Sequence, residues 1–158
     1  MKNIVSQVHK TLVQKKKTIA VAESCTGGLF SSLLTQISGS SRYFILGIVA
    51  YNNKAKIDIL KVPAGLIAKN GAVSREVAQK MALQVRKIAK TSLGIAITGI
   101  AGPTGGTLLK PVGTVFVALS LKGRLISREF HFTGSRRDIR KRAAMESLRL
   151  LHENIYCD

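Results

Sequence analysis

Apolar residues recur along the chain in two rhythms, and their alternation predicts the order of the elements. Near the N-terminus Ile4, Val5, Val8, Leu12 and Val13 fall on one helical face, so Met1 to Lys17 reads as an amphipathic helix. Thr18 to Ala22 is a β-branched run with the length of a buried strand, after which Leu29, Phe30, Leu33, Leu34 and Ile37 return to helical spacing. Tyr43 to Tyr51, apolar and β-rich, predicts a central strand. Asn52-Asn53-Lys54-Ala55-Lys56 leads into a short helical piece ending near Pro63, and a loop containing Asn70-Gly71 follows. Ser74 has the chemistry of an N-cap for a long helix with Val77, Ala78, Met81, Ala82, Val85, Ile88 and Ala89 on one face. Leu93 to Thr98 is a short strand that runs into the glycine-spaced loop Gly99 to Gly106. Val112 to Leu121 and Arg124 to Phe132 flank Lys122-Gly123 as an antiparallel hairpin. A last helix spans about Ser135 to Asn154, with Ala144, Leu148, Leu151 and Ile155 on its buried stripe.

Early alternation followed by a late hairpin predicts an α/β protein: a three-layer α/β/α sandwich over a mixed, mainly parallel sheet with a late antiparallel hairpin. At 158 residues the chain suits one domain, 1–158, with a proper core. In such sheets ligands bind beyond the carboxyl ends of parallel strands. Three loops in that position stand out: Ser24 to Gly28, Tyr51 to Lys56 and Gly99 to Gly106.

Composition narrows the function classes. Hydrophobic residues make up 46% of the chain, yet no apolar run approaches the roughly 20 residues of a membrane span, and the first helix lacks the core of a signal peptide. A soluble, cytoplasmic protein is expected. Cys25 and Cys157 have neither metal-ligand spacing nor the look of a disulfide framework, so no metal is expected and Cys25 reads best as a small buried thiol. The formal net charge of +17 invites a nucleic-acid hypothesis. The cations are spread over several elements, Trp is absent and no nucleic-acid motif is present, so specific nucleic-acid recognition is not expected. Attraction to small anions fits the charge equally well.

Candidate chemistry begins at Ala22-Glu23-Ser24-Cys25-Thr26-Gly27-Gly28, where a strand becomes a helix. The glycines permit a tight turn and leave helix N-terminal N–H groups able to meet a phosphate or an oxyanion. Capping by Ser24 or Thr26 accounts for the segment as well as catalysis does. A serine nucleophile needs a base. His9, His131 and His152 lie on terminal helices or a hairpin strand and suit packing or surface roles, while Glu23 suits a structural hydrogen bond at least as well as catalysis. Lysine remains, and desolvation would make it a base; Lys56 or Lys54 follows a strand end, although spacing alone favours a solvated charge for either. The glycine loop is either a tight connection or an anion-binding nest. No Gly-Lys-Ser/Thr follows it, which disfavours nucleoside triphosphate hydrolysis.

Taken together, Ala22 to Gly28, Tyr51 to Lys56, Gly71-Ala72-Val73-Ser74, Thr98 to Pro103 and Lys110 to Val115 resemble the CinA C-terminal domain family, in the family's order and over about residues 4 to 152. The resemblance implies the stand-alone type that hydrolyses the carboxamide of nicotinamide mononucleotide to nicotinate mononucleotide and ammonia, with no cofactor. Its motifs map the serine nucleophile onto Ser24 and the lysine base onto Lys56. They imply an oxyanion or substrate role for Thr26, Gly27, Gly28, Tyr51, Asn53, Thr98, Gly102 and Gly105, with phosphate contacts from Arg137 or Arg140. A small nucleotide substrate and a homo-oligomer follow from the same resemblance, without a membrane partner. The chain departs from the family's Tyr-Ser-Asn-Glu-Ala-Lys at Asn52 and Lys54, and Lys54 is a candidate for depressing the pKa of Lys56. A basic, non-enzymatic binding or regulatory domain of the same fold, linked to nucleic acid, is the alternative that the charge and these two departures suggest.

Overall fold

The computed structural model describes residues 2–156. In chain order it contains α1 (Lys2–Gln14), β1 (Ile19–Glu23), α2 (Leu29–Thr35), a 3-10 turn at Ser40–Arg42, β2 (Phe44–Val49), α3 (Asn53–Asp58) and α4 (Ala64–Asn70). These are followed by α5 (Arg75–Ala89), β3 (Leu93–Gly99), β4 (Thr114–Leu121), β5 (Arg124–His131) and α6 (Arg136–Ile155). One open sheet has the order β2-β1-β3-β4-β5. β1 pairs parallel with β2 and β3, and β4 pairs antiparallel with β3 and β5. Helices cover both faces, giving the expected α/β/α sandwich with its late hairpin.

Large and small residues alternate along the central strands, and the two faces of the sheet differ accordingly. Ile19, Val21, Ile95 and Ile97 point into a core shared with α1, α2 and α6, where Val8, Phe30 and Leu148 are fully buried. On the other face Ala20, Ala22, Ala96 and Ala118 meet α5. Small side chains bring that helix close to the sheet. At Gly94 the approach is closest, since a Cβ there would stand 2.3 Å from the carbonyl oxygen of Ala82. Ser74 caps α5 by accepting the N–H of Val77, as its sequence position predicts. Ile88, assigned to the buried face of that helix, is instead 46% exposed in its last turn.

Two local expectations change. Tyr43 to Tyr51 is predicted as a central strand, yet β2 forms the sheet edge and its residues alternate between partial burial and exposure. Leu46 and Ile48 pack against the core under α5, whereas Ile45 and Val49 on the other face are half-exposed, and an apolar run alone does not separate an edge from a centre. The chain before Asn70 also folds as α4, a seven-residue helix whose Ile67 is buried. Seven residues are too few for a helical period to register in the sequence.

Candidate active site

The carboxyl ends of β1, β2 and β3 bring the first and second loops together. β1 ends at Glu23, and the next residue remains tied to β3, Ser24 N–H donating to the Ile97 carbonyl at 2.9 Å. The Ala50 N–H donates to the Glu23 carbonyl at 2.8 Å and fixes the end of β2 beside it. Chain direction then reverses into α3, capped by Asn52, whose side chain accepts the Ala55 N–H at 2.8 Å. That cap explains the departure at position 52, because Asn performs it as well as Ser. One turn later α3 presents Lys56 inward, with only 2% of the residue exposed.

Lys56 Nζ donates to Ser24 Oγ at 3.1 Å and to the Ala50 carbonyl at 3.0 Å. Burial lowers the pKa of this lysine below its ordinary value. Lys54 does not contribute to that shift; its amine is exposed and pairs with Asp58 one turn along α3, which raises its own pKa. Cys25, beside the serine, is buried and its thiol is pushed up to about 12 by desolvation, so at neutral pH it stays protonated. The histidines lie elsewhere: His9 meets the Tyr43 hydroxyl, His131 pairs with Glu129, and His152 packs against Tyr156.

Glu23 settles how the turn is held. Its carboxyl oxygens accept the N–H groups of Gly28, Phe30 and Ser31 at 3.0, 3.1 and 2.8 Å, and the Ser31 hydroxyl at 2.6 Å. The start of α2 is therefore occupied by the protein's own acid. The N–H of Gly27 is also used, donating to the Ser24 carbonyl at 3.0 Å. Of Thr26, Gly27 and Gly28, only the Thr26 N–H has no acceptor among the described residues. Both glycines still have positive φ, 57° and 95°, which explains the need for glycine in the turn. Glu23→Ala is expected to destabilise the fold by about 3–5 kcal/mol, since it leaves several buried donors without partners; urea denaturation measures the loss.

Around the mouth, Arg140 reaches under the turn and donates to the Thr26 carbonyl at 2.8 Å. Gly102 is buried, and its carbonyl accepts from Arg136 at 2.7 Å. Arg136 also donates to the Tyr51 hydroxyl, so one guanidinium bridges the ends of the second and third loops. Gly105 lies farther out in the third loop with φ of 90°, and Asn53 is the exposed first residue of α3. Thr98 is not aimed at the lysine; its hydroxyl donates to the Ala72 carbonyl at 2.9 Å. Arg137 is exposed in the first turn of α6. The residue missed from the sequence is Arg136. With Ser135 as N-cap, positions 136 and 140 are four apart on one helix face, a phase that the capping box Ser135/Asp138 makes readable.

Residues 1–155 match the family model described as the CinA C-terminal domain. The chain belongs to the CinA C-terminal domain family. This CinA domain is 48% identical over 145 residues to a CinA-like protein of Syntrophus aciditrophicus, covering 91% of the present chain and 34% of the relative. It is 47% identical over 151 residues to a CinA-like protein of Desulfotalea psychrophila, covering 96% and 37%. The chain thus spans about a third of the length of these curated relatives. Among solved structures, a CinA superfamily protein from Klebsiella pneumoniae superposes with a TM-score of 0.93 at 29% identity, covering 97% of this chain and 96% of that one. One from Escherichia coli gives 0.91 at 33% identity, covering 96% and 88%. Among the described residues of the CinA domain, no helix is long and apolar enough to cross a membrane and no cluster of side chains suits a metal ion. Cys157 lies outside the described residues.

Proposed function

We propose that this CinA domain hydrolyses the carboxamide of nicotinamide mononucleotide, giving nicotinate mononucleotide and ammonia. The observation that carries the proposal is the 3.1 Å contact between Lys56 Nζ and Ser24 Oγ, with the lysine 2% exposed. Family membership is the support for the choice of substrate, and the dyad is the support for the chemistry.

With its amine neutral, Lys56 has one lone pair for the Ser24 hydroxyl proton and two N–H groups, one of which remains on the Ala50 carbonyl. As Ser24 Oγ forms its bond to the carboxamide carbon, its proton passes to Lys56 and the carbonyl oxygen becomes an oxyanion. The N–H groups of Cys25 and Thr26, which have no backbone or side-chain acceptor in any other described residue, are the groups assigned to that charge. The lysine proton then goes to the departing nitrogen as the carbon–nitrogen bond breaks, ammonia leaves, and water activated by the same amine cleaves the acyl-serine ester. Arg136 at the mouth is assigned to the 5′-phosphate, with Arg140 holding the turn from below.

Incubation with nicotinamide mononucleotide, with ammonia and the acid product both quantified, tests the proposal. Stoichiometric release of the two is expected. Absence of turnover, or turnover that survives in both Ser24→Ala and Lys56→Ala, would refute the dyad.

A further inference from the structure

The end of the sheet opposite the candidate site carries cations from every strand connection. Pairing places Phe44 beside Ile19, Ile19 beside Leu93, Gly94 beside Ser120, and Ser120 beside Leu125, so these residues form one row across all five strands. Each connection entering that row is basic. Lys15-Lys16-Lys17 precedes β1, Arg42 precedes β2, and Arg86, Lys87 and Lys90 precede β3. Lys122 lies in the turn between β4 and β5, and Arg124 opens β5. The segments 15–18, 37–43, 86–92 and 120–125 contain no Asp or Glu. Nearby, Glu153 at the end of α6 meets Arg128 of β5.

Helix dipoles explain part of this pattern, because the C-termini of α1 and α5 face this end and favour cations. They do not explain Arg42, Lys122 or Arg124, which lie at no α-helix C-terminus. Nor do they explain the backbone. Among the described residues, the non-glycine positions with positive φ are Lys16 (51°), Lys61 (54°) and Lys90 (52°), and two of these lysines are in this row of connections. Glycine or asparagine would serve a left-handed cap at lower cost, so lysine there points to a use for its charge. Arg42, Lys16, Lys87, Lys90, Lys122 and Arg124 are all exposed.

We infer that this basic end binds the phosphate backbone of a nucleic acid without reading sequence. Five strands at about 4.8 Å spacing span roughly 19 Å between the outer two, enough to meet several successive phosphates of a duplex. Lysine and arginine heads carry sequence-independent affinity of this kind. Exposed large apolar residues near the row are limited to Ile45, Ile88, Leu125 and Tyr156 among the described residues, and they lie on separate elements rather than on the apolar face of one membrane-lying helix. The inference is independent of the proposed amidase, whose dyad sits at the other end of the strands.

Fluorescence anisotropy of a labelled 20-base-pair DNA duplex of arbitrary sequence tests it, across a salt titration from 50 to 200 mM. The native chain is expected to bind two unrelated duplexes alike and to weaken steeply with salt. The triple variant Lys87→Gln, Lys122→Gln, Arg124→Gln is expected to lose at least about tenfold in affinity and up to about 2.7 from the slope of log K against log salt. The control triple Lys10→Gln, Lys69→Gln, Lys80→Gln is expected to keep the native slope, and Ser24→Ala should bind as the native protein does. No binding at 50 mM salt overturns the inference. So does equal loss in the two triples, which would mean diffuse charge, or capture by vesicles of phosphatidylglycerol and phosphatidylcholine without binding of the duplex.

Discussion

Ser24→Ala is expected to lower kcat for hydrolysis of the nucleotide amide by about 10⁴-fold or more while leaving the fold intact. The serine hydroxyl is the one group in the cluster with a base in contact and a protonated, inert thiol as its nucleophilic neighbour. Its removal takes away the bond-forming atom. Little else changes, because the Ser24 backbone keeps its hydrogen bond to Ile97 and Lys56 keeps the Ala50 carbonyl. Circular dichroism and urea unfolding should therefore place the variant within about 1 kcal/mol of the native protein, with single-turnover assays showing no burst of ammonia. A residual rate within tenfold of native would assign the chemistry to another nucleophile.

Lys56→Met is expected to abolish turnover to a similar extent and at the same time to raise stability. A buried lysine with a lowered pKa is an asset to catalysis and a cost to folding. Between its lowered folded pKa and its ordinary value of 10.5, the unfolded chain holds the proton and the folded chain does not. Unfolding takes up that proton, so native stability from this group rises with pH through the window and is lowest on the acid side. Methionine has a similar reach and no charge to desolvate. Its melting temperature should exceed the native one most clearly at pH 6, with the difference fading towards pH 10.5. For the native protein the proposed mechanism and the same titration predict that kcat/KM increases with pH through an ionisation below 10.5, since only the neutral amine accepts the serine proton. A kcat/KM that does not rise with pH anywhere below 10.5 would separate Lys56 from proton transfer.

Much of this architecture is legible in the sequence because the elements are amphipathic at the right period. The alternation of large and small residues in Ile19-Ala20-Val21-Ala22 even encodes which face lies close to a helix. The dyad is less legible. Spacing places Ser24 and Lys56 after separate strands, and only the parallel pairing of β1 with β2 brings them within hydrogen-bond reach. β2 could not be placed at the edge from its own residues, since the order of strands is set by pairings across the chain. The use of the turn was misjudged for a different reason. Its N–H groups look available in the sequence, but Glu23, one residue before Ser24, turns back and consumes those at the start of α2. Thr98 is equally ambiguous in the sequence: a hydroxyl at a strand end can serve a neighbouring loop, as it does here at Ala72, as readily as a ligand. Arg136 was available from helix phase, given the cap at Ser135.

The Arg136 bridge has a consequence for what can react. Ser24 is 7% exposed and Lys56 2%, and one guanidinium spans the loops at their mouth. A proposed nucleophile with so little surface would sort amides by silhouette. A flat ring carrying its carboxamide at the rim can slide in edge-first and trail a charged tail behind. An asparagine or glutamine on the surface of a folded protein is surrounded by its own backbone and cannot. Shape would then keep the proposed nucleophile from deamidating its macromolecular neighbours.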